Sequence, residues 1–364
     1  MKRKMLEYIC CPECRGELEL LEKELELSGS NSDIVNGLLT CGRCGLFPII
    51  NAIPRLLPKK YLPDYLFAFY PEWLEKCKLN NYTVNKSSEE INTVKTLLSF
   101  SFEWSTYNTN YDFWQKEFNI FTRPWNNKQF TGKVIADFGC GMGRYTSVAC
   151  RRGGEIIAMD LSNAIESAYN NCKEFNNFHA VQGDICNPPV KEKILDMYYS
   201  LGVLHHIPQG AQYGLKSLLP LLKFKGEMLV WLYGTTRGDK RFHPGKLGRS
   251  LIKKLPLKLI NVFSWMYAIL VYLFFKIPAH LLTVVGLSKI AGKIPFPTWR
   301  KYSLKAIACN VFDIYATPVE YGYNKEEIEQ MMKEAGYCNI KVEAVDTSFR
   351  ERASWIGIGN RQPI

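Results

Sequence analysis

A chain of 364 residues, 47% hydrophobic and 22% charged, has material for two folded domains, which excludes a disordered polymer. Its net charge of +11 is uneven: residues 223–305 hold sixteen Lys and Arg against Glu227 and Asp239, a local +14 that leaves the remainder at about −3. The charged start Met1-Lys2-Arg3-Lys4 carries no apolar signal core, so the twelve cysteines are expected to be thiols and metal ligands of a cytoplasmic protein, not disulfides.

Two C-x-x-C pairs come first, Cys11-Pro12-Glu13-Cys14 and Cys41-Gly42-Arg43-Cys44. Each pair can put two thiolates on one ion, and together they complete a tetrahedron. Cys10 adjoins the first pair, but the knuckle spacing selects Cys11. Gly16 and Gly45 follow the knuckles, where the chain turns tightly to aim amides at sulfur. Between them Glu17-Leu18-Glu19-Leu20 and Glu24-Leu25-Glu26-Leu27 alternate as ribbon strands do. Four thiolates leave no open position, so Cys11, Cys14, Cys41 and Cys44 are expected to hold a structural Zn2+ that substitutes for a core too small to fold alone. With the apolar tail Leu46 to Pro58, residues 5–58 resemble the small zinc-ribbon activators of tRNA, ribosomal and release-factor methyltransferases. A first domain is expected at 1–58.

Residues 59–130 read as an aromatic-rich lead-in with helical patches such as Glu89–Leu98. Its Ser101-Phe102-Glu103-Trp104 is similar, with one residue fewer between the aromatics, to an F-x-x-W element that precedes the core of many small-molecule methyltransferases; plain aromatic packing is the alternative. From residue 131 strands and helices alternate, which predicts a parallel sheet covered on both faces. The first strand, Val134–Phe138, enters Gly139-Cys140-Gly141-Met142-Gly143, where missing side chains let a ligand lie on the backbone. A dinucleotide fingerprint read from Gly139 needs glycine at 144, and Arg144 removes it. The next strands end at Asp160, before Asp184, and at Leu201; a fifth covers Met228–Tyr233. A carboxylate at Asp160 can accept both ribose hydroxyls of a nucleoside, and ligands in such sheets bind outside the carboxyl ends of the strands. A helix over Asn324–Ala335 and strands at 338–345 and 353–359 finish the pattern.

The run Asp137-Phe138-Gly139-Cys140-Gly141-Met142-Gly143 resembles the D-x-G-x-G-x-G signature of class I S-adenosylmethionine-dependent methyltransferases, and the resemblance spans 131–234 and 313–364. It implies an α/β fold for 131–364: a doubly wound, mostly parallel, Rossmann-like sheet of seven strands, with the ribbon in front and a helical insertion at 235–309. It implies S-adenosylmethionine on Asp137, Gly139, Cys140, Gly141 and Gly143, on Asp160 with Leu161, on Asp184 (at the adenine amine) with Ile185 (against its ring), and on Leu201.

For the acceptor, the fourth strand lacks the Asn/Asp-Pro-Pro-Tyr/Phe element used on exocyclic amines. Leu204-His205-His206-Ile207-Pro208 instead resembles the L-H-H of enzymes acting on small molecules and quinone-type lipids, with His206 or His205 as a candidate general base. Asp313 to Tyr323 is similar to a segment that closes over the acceptor, making Tyr315 and Tyr321 candidate pocket residues. The insertion pairs most of the basic excess with the apolar run Leu259–Phe275. A single span is disfavoured because the last strands must return to the sheet and Ile277–Leu287 is too short to cross back. A helical lid and an interfacial element stay open, and a lid that touches a membrane surface through 240–300, or a lipid-like acceptor, is the expectation. The functional expectation is in-line methylation, on oxygen or carbon, of a small-molecule or lipid-like acceptor. Its rivals are a tRNA, ribosome or translation-factor methyltransferase and a non-catalytic S-adenosylmethionine-binding protein. Nucleic acid is disfavoured because the bases interleave with apolar runs and not with stacking aromatics.

Overall fold

The computed structural model describes residues 1–28, 33–79, 85–107, 114–126, 128, 130–235, 251–297, 299–345 and 353–362. The start of the insertion, 236–250, with Asp239 and five of the sixteen bases, lies outside the described residues.

Twelve strands make one sheet. In the front segment they are β1 (Glu19–Leu20), β2 (Glu26–Ser28), β3 (Asp33–Cys41), β4 (Gly45–Ile50) and β5 (Ile53–Leu56). The core adds β6 (Val134–Phe138), β7 (Glu155–Asp160), β8 (Phe178–Gly183), β9 (Leu195–Leu201), β10 (Leu222–Tyr233), β11 (Tyr337–Ala344) and β12 (Ser354–Arg361). The order is β1-β3-β4-β5-β8-β7-β6-β9-β10-β12-β11, with β2 on β3. From β8 to β10 neighbours run parallel, and β12 and β11 close the edge as an antiparallel hairpin. The expected seven-stranded sheet is therefore corrected to twelve. The seven core strands are present, but β8 is not an edge: β5 pairs with it in parallel, Arg55 opposite Gln182 and Leu56 opposite Gly183. An open β8 would expose a row of unpaired amides and carbonyls, and the tail of the front segment covers it.

That junction is polar as well as hydrogen-bonded. Arg55 is fully buried; its guanidinium donates to Gln182 Oε1 (3.2 Å) and Ile50 O (3.0 Å) and pairs with Glu166 on the helix Ala164–Cys172. Tyr70 also donates to Glu166, at 2.7 Å. Upstream, Arg15 donates to Pro188 O and Val190 O at 2.5 and 2.7 Å, fastening the first knuckle to the loop after β8.

The lead-in forms the helix Ser88–Thr106, started by a Ser87/Glu90 capping box. Against it lies Leu304–Ala316, joined by a Ser99 Oγ to Ala316 O bond of 3.0 Å and by stacking of Phe102 on Phe312. The insertion packs outside this pair. Its two apolar runs, which the sequence presents separately as Leu259–Phe275 and Ile277–Leu287, join in one helix, Leu257–Val284. Pro278 has no amide hydrogen to give the preceding turn, and a π-helical turn at Tyr272–Lys276 absorbs the misfit, so the helix continues.

Replacing Arg55 with Met leaves Glu166 facing a buried void in charge. The substitution is expected to cost about 3–5 kcal/mol, read as a lower urea midpoint of the full chain.

Candidate functional site

The ends of β6 and β7 set the floor of a cavity. Gly139, Gly141 and Gly143 take φ of 80°, 53° and 80°, which only glycine adopts without strain. Space is equally restrictive: a Cβ on Gly139 would lie 2.4 Å from the Val203 side chain, and one on Gly143 would lie 2.9 Å from the Ala168 backbone. Gly139 N and Cys140 N both donate to Met159 O, at 2.7 and 3.0 Å, which ties the turn to the end of β7. Gly143 then starts the helix Arg144–Arg151, whose first amides have no partner within the helix.

Two carboxylates stand along this floor. Asp160 Oδ2 accepts from Gly141 N at 2.8 Å, while Oδ1 accepts from Ser162 N (2.8 Å) and Ser162 Oγ (2.7 Å). Asp184 is buried at the end of β8 and accepts from Cys186 N (2.9 Å) and Asn187 Nδ2 (3.3 Å). Burial raises the pKa of both, and the donors oppose it. A third, Asp137, sits beneath the turn, accepting from Thr146 Oγ1 (2.6 Å) and Tyr199 OH (3.0 Å). Its burial pushes its pKa up to about 7.

Above the floor opens a cleft of about 980 Å³ that is continuous with solvent. Its polar lining is Asp160, Ser162, Asp184, Arg144, His206 and Gln209 with the threonines 93 and 96; most of the rest is apolar or aromatic, including Phe100, Trp104, Tyr145, Leu201 and Ile207. Arg144 lies against the Trp104 and Tyr145 rings, at 5.7 and 4.5 Å, and is 3.9 Å from Glu117. His206 Nδ1 is 2.9 Å from Val319 O. A carbonyl only accepts, so Nδ1 carries the proton and Nε2 of the neutral ring keeps its lone pair.

At the front, the sulfurs of Cys11, Cys14, Cys41 and Cys44 all lie within 4.8 Å of one another, with Cys14 and Cys41 at 3.5 Å. Tetrahedral Zn–S bonds of about 2.3 Å give S–S separations of about 3.8 Å, so the set fits such an ion. Glu13 N donates to Cys11 Sγ at 3.4 Å, and a Cβ on Gly16 would come within 3.2 Å of Cys14 Sγ. Cys10 is outside the cluster; its amide donates to Pro189 O.

Residues 135–226 match the family described as a methyltransferase domain. Residues 135–226 are a methyltransferase domain. Residues 2–51 match the Trm112p-like protein family, so the methyltransferase domain carries a Trm112p-like domain in front. Solved structures similar to the chain include Haemonchus contortus phosphoethanolamine N-methyltransferase 2 (14% identity, TM-score 0.45, 76% of this chain and 58% of that one). The chain thus spans little more than half the length of that protein. Others are the Haloferax volcanii complex of the Trm112 methyltransferase activator with a putative methyltransferase (9%, 0.45, 74% and 98%) and Burkholderia thailandensis 1,6-didemethyltoxoflavin-N1-methyltransferase (12%, 0.47, 78% and 93%). No curated protein matches the chain in sequence.

Within the methyltransferase domain the cavity is lined by Gly139, Cys140, Gly141, Asp160, Leu161, Asp184, Ile185, Leu201 and His206. Asp137 and Gly143 are not at its surface: one supports the turn and the other packs on Ala168. His205 also lies behind the wall, fully buried and stacked on Tyr233 at 4.0 Å. Neither tyrosine reaches the cavity. Tyr315 is buried against Phe263 under the insertion, because the helix Leu304–Ala316 presents that face to it. Tyr321 is half-exposed and straps the His205–Pro208 loop from outside: its amide donates to His205 O and its hydroxyl to Pro208 O, both at 2.9 Å. Sequence reading passed over Thr93, Leu97 and Phe100. They share helical spacing with Trp104, a signal that extending the Glu89–Leu98 helix would have found.

Gly139→Ala must move Val203 out of the cavity wall. The variant is expected to bind S-adenosylmethionine roughly 5- to 150-fold more weakly by calorimetry, from roughly 1–3 kcal/mol of backbone and steric strain.

Proposed function

We propose that the chain is a methyltransferase using S-adenosylmethionine and acting on a small, largely apolar or lipid-like acceptor at oxygen or carbon. The observation that carries the reading is the cavity's composition. The strand-end carboxylates suit the two ribose hydroxyls and the adenine amine of the cofactor, while Phe100, Trp104, Tyr145 and Ile207 suit an apolar second molecule. Nucleophilic attack needs close approach and, for a hydroxyl, removal of its proton.

When bound, S-adenosylmethionine supplies a methyl group on a positively charged sulfur, which makes it electrophilic. The residues of the chain hold and orient. The Gly139–Gly143 backbone and Asp160 fix the nucleoside end; the aromatic wall excludes water and presses the acceptor into line. For a hydroxyl acceptor, His206 Nε2 would take the proton, and Val319 O would hold the resulting imidazolium through Nδ1. At the front, Cys11, Cys14, Cys41 and Cys44 would hold a structural zinc, which would brace the ribbon whose tail covers β8.

His206→Gln keeps the size of the side chain and removes the base. It is expected to lower kcat by about 10²–10⁴ while the cofactor Kd stays within about threefold. The acceptor is found by incubating the enzyme and methyl-labelled cofactor with cell extract and separating lipid, metabolite, RNA and protein fractions. Label in lipid or metabolite supports the reading, and label confined to RNA or protein overturns it. The second reading, a translation-related acceptor, has the Trm112p-like match at residues 2–51 in its favour, and that same result would establish it.

Chelating the metal is expected to lower the thermal midpoint of the whole chain by at least about 5 °C, since ribbon and core share one sheet. Midpoints that coincide with and without chelator would detach the four cysteines from stability.

A further inference from the structure

We propose that the insertion docks the protein on an anionic lipid bilayer, with the tip of a helical hairpin seated in the interface. The proposal uses none of the cavity's residues and stands whether or not the acceptor is lipid-like.

The helix Leu257–Val284 is long and apolar enough, by length and composition, to cross a membrane, yet little of it is buried. One stripe faces the protein: Ile260, Ser264, Ala268 and Val271 are buried against Leu304–Ala316 and its surroundings. The opposite stripe is just as apolar and faces outward. Val262, Met266, Leu270, Phe274, Leu281 and Val284 follow one another at helical spacing, each more than half exposed. A water-facing helix stripe is ordinarily polar, and an exposed apolar run of this length marks a contact surface.

Beyond Val284 the chain turns at Gly286 (φ +82°) into Ser288–Ala291 and comes back toward Leu304. The return limb is braced: Lys276 Nζ donates to Tyr302 O at 2.6 Å, Arg300 Nη1 donates to Ala291 O at 2.7 Å, and Phe275 meets Phe296 edge-on at 5.1 Å. Exposure of Val285, Leu287 and Ile290 at the tip is thus a property of a held hairpin. Both limbs join the same helical layer, so the chain enters and leaves on one side. That geometry fits insertion into one leaflet and not a span.

Charge selects the occupant. No Asp or Glu occurs from Lys240 to Phe312. Lys254, Lys258, Lys289 and Lys293 are exposed around the apolar stripe, where their stems can lie along acyl chains and their ammonium groups among phosphates. A second copy meeting this face about a two-fold axis would set those lysines against their own counterparts. Negatively charged head groups neutralise them.

The test uses the full-length protein with vesicles of phosphatidylcholine alone and of phosphatidylcholine mixed with phosphatidylglycerol. Co-sedimentation is expected to favour the anionic vesicles by at least roughly tenfold and to fall with salt. The double variants Val284→Asp with Val285→Asp, and Lys289→Glu with Lys293→Glu, are each expected to lose at least roughly tenfold in partition. All four positions are exposed, and calorimetry with S-adenosylmethionine checks that each variant keeps wild-type cofactor affinity. Three results overturn the proposal: equal sedimentation with both vesicles, variants that bind as wild type, or a dimer in equilibrium sedimentation that Val284→Asp with Val285→Asp converts to monomer.

Discussion

Two parallel strands can deliver their ends to one ligand only if the backbone between the first strand and its helix passes within contact distance of the second. The Gly139–Gly143 turn meets that demand. Its amides are spent on Met159 O and Asp160, so the floor of the cavity is a single hydrogen-bonded piece of β6 and β7. Positive φ and two close approaches leave no room for side chains there. Asp137 serves this piece from below, half-way between ligand chemistry and scaffold, its buried carboxyl held by Thr146 and Tyr199. The position of every wall residue is referred to that floor.

The second constraint is the exposed side of β8. A parallel strand at an edge needs a partner, and here the partner arrives from the front of the chain. The pairing carries a line of polar contacts inward: Arg55 bonds Gln182 Oε1, and Gln182 Nε2 donates to Leu161 O at 3.0 Å, behind a residue that lines the cavity. The Trm112p-like domain and the methyltransferase domain are in that sense one mechanical body, although their sequences read as separate units.

Local chemistry made much of this visible in advance. Paired cysteines at knuckle spacing, glycines at alternate positions and acids at strand ends each report a backbone requirement confined to a few residues, and the structure brings them together where the pattern indicates. What escaped depended on distance in sequence. Nothing near Ile53–Leu56 says that it will lie beside Phe178–Gly183, so the sheet looked shorter than it is. Tyr315 and Tyr321 sit in a suggestive segment, but the rotation of Leu304–Ala316 turns one under the insertion and the strap geometry turns the other outward. The two apolar runs of the insertion read as separate, because the π turn that joins them has no composition of its own.

The covalent join between ribbon and core alters how their contact must be judged. Two separate chains would need an interface strong enough to overcome dilution, whereas the connection through residues 57–133 makes the pairing intramolecular. The β5–β8 pairing itself is two register pairs and one buried arginine, and Arg15, Cys10 and a shared apolar cluster extend the ribbon–core contact beyond it. Ribbon and core are made one to one, and a second chain competing for β8 would have to outmatch an intramolecular partner. Affinity, the quantity that a two-chain assembly must evolve, is here replaced by chain connectivity.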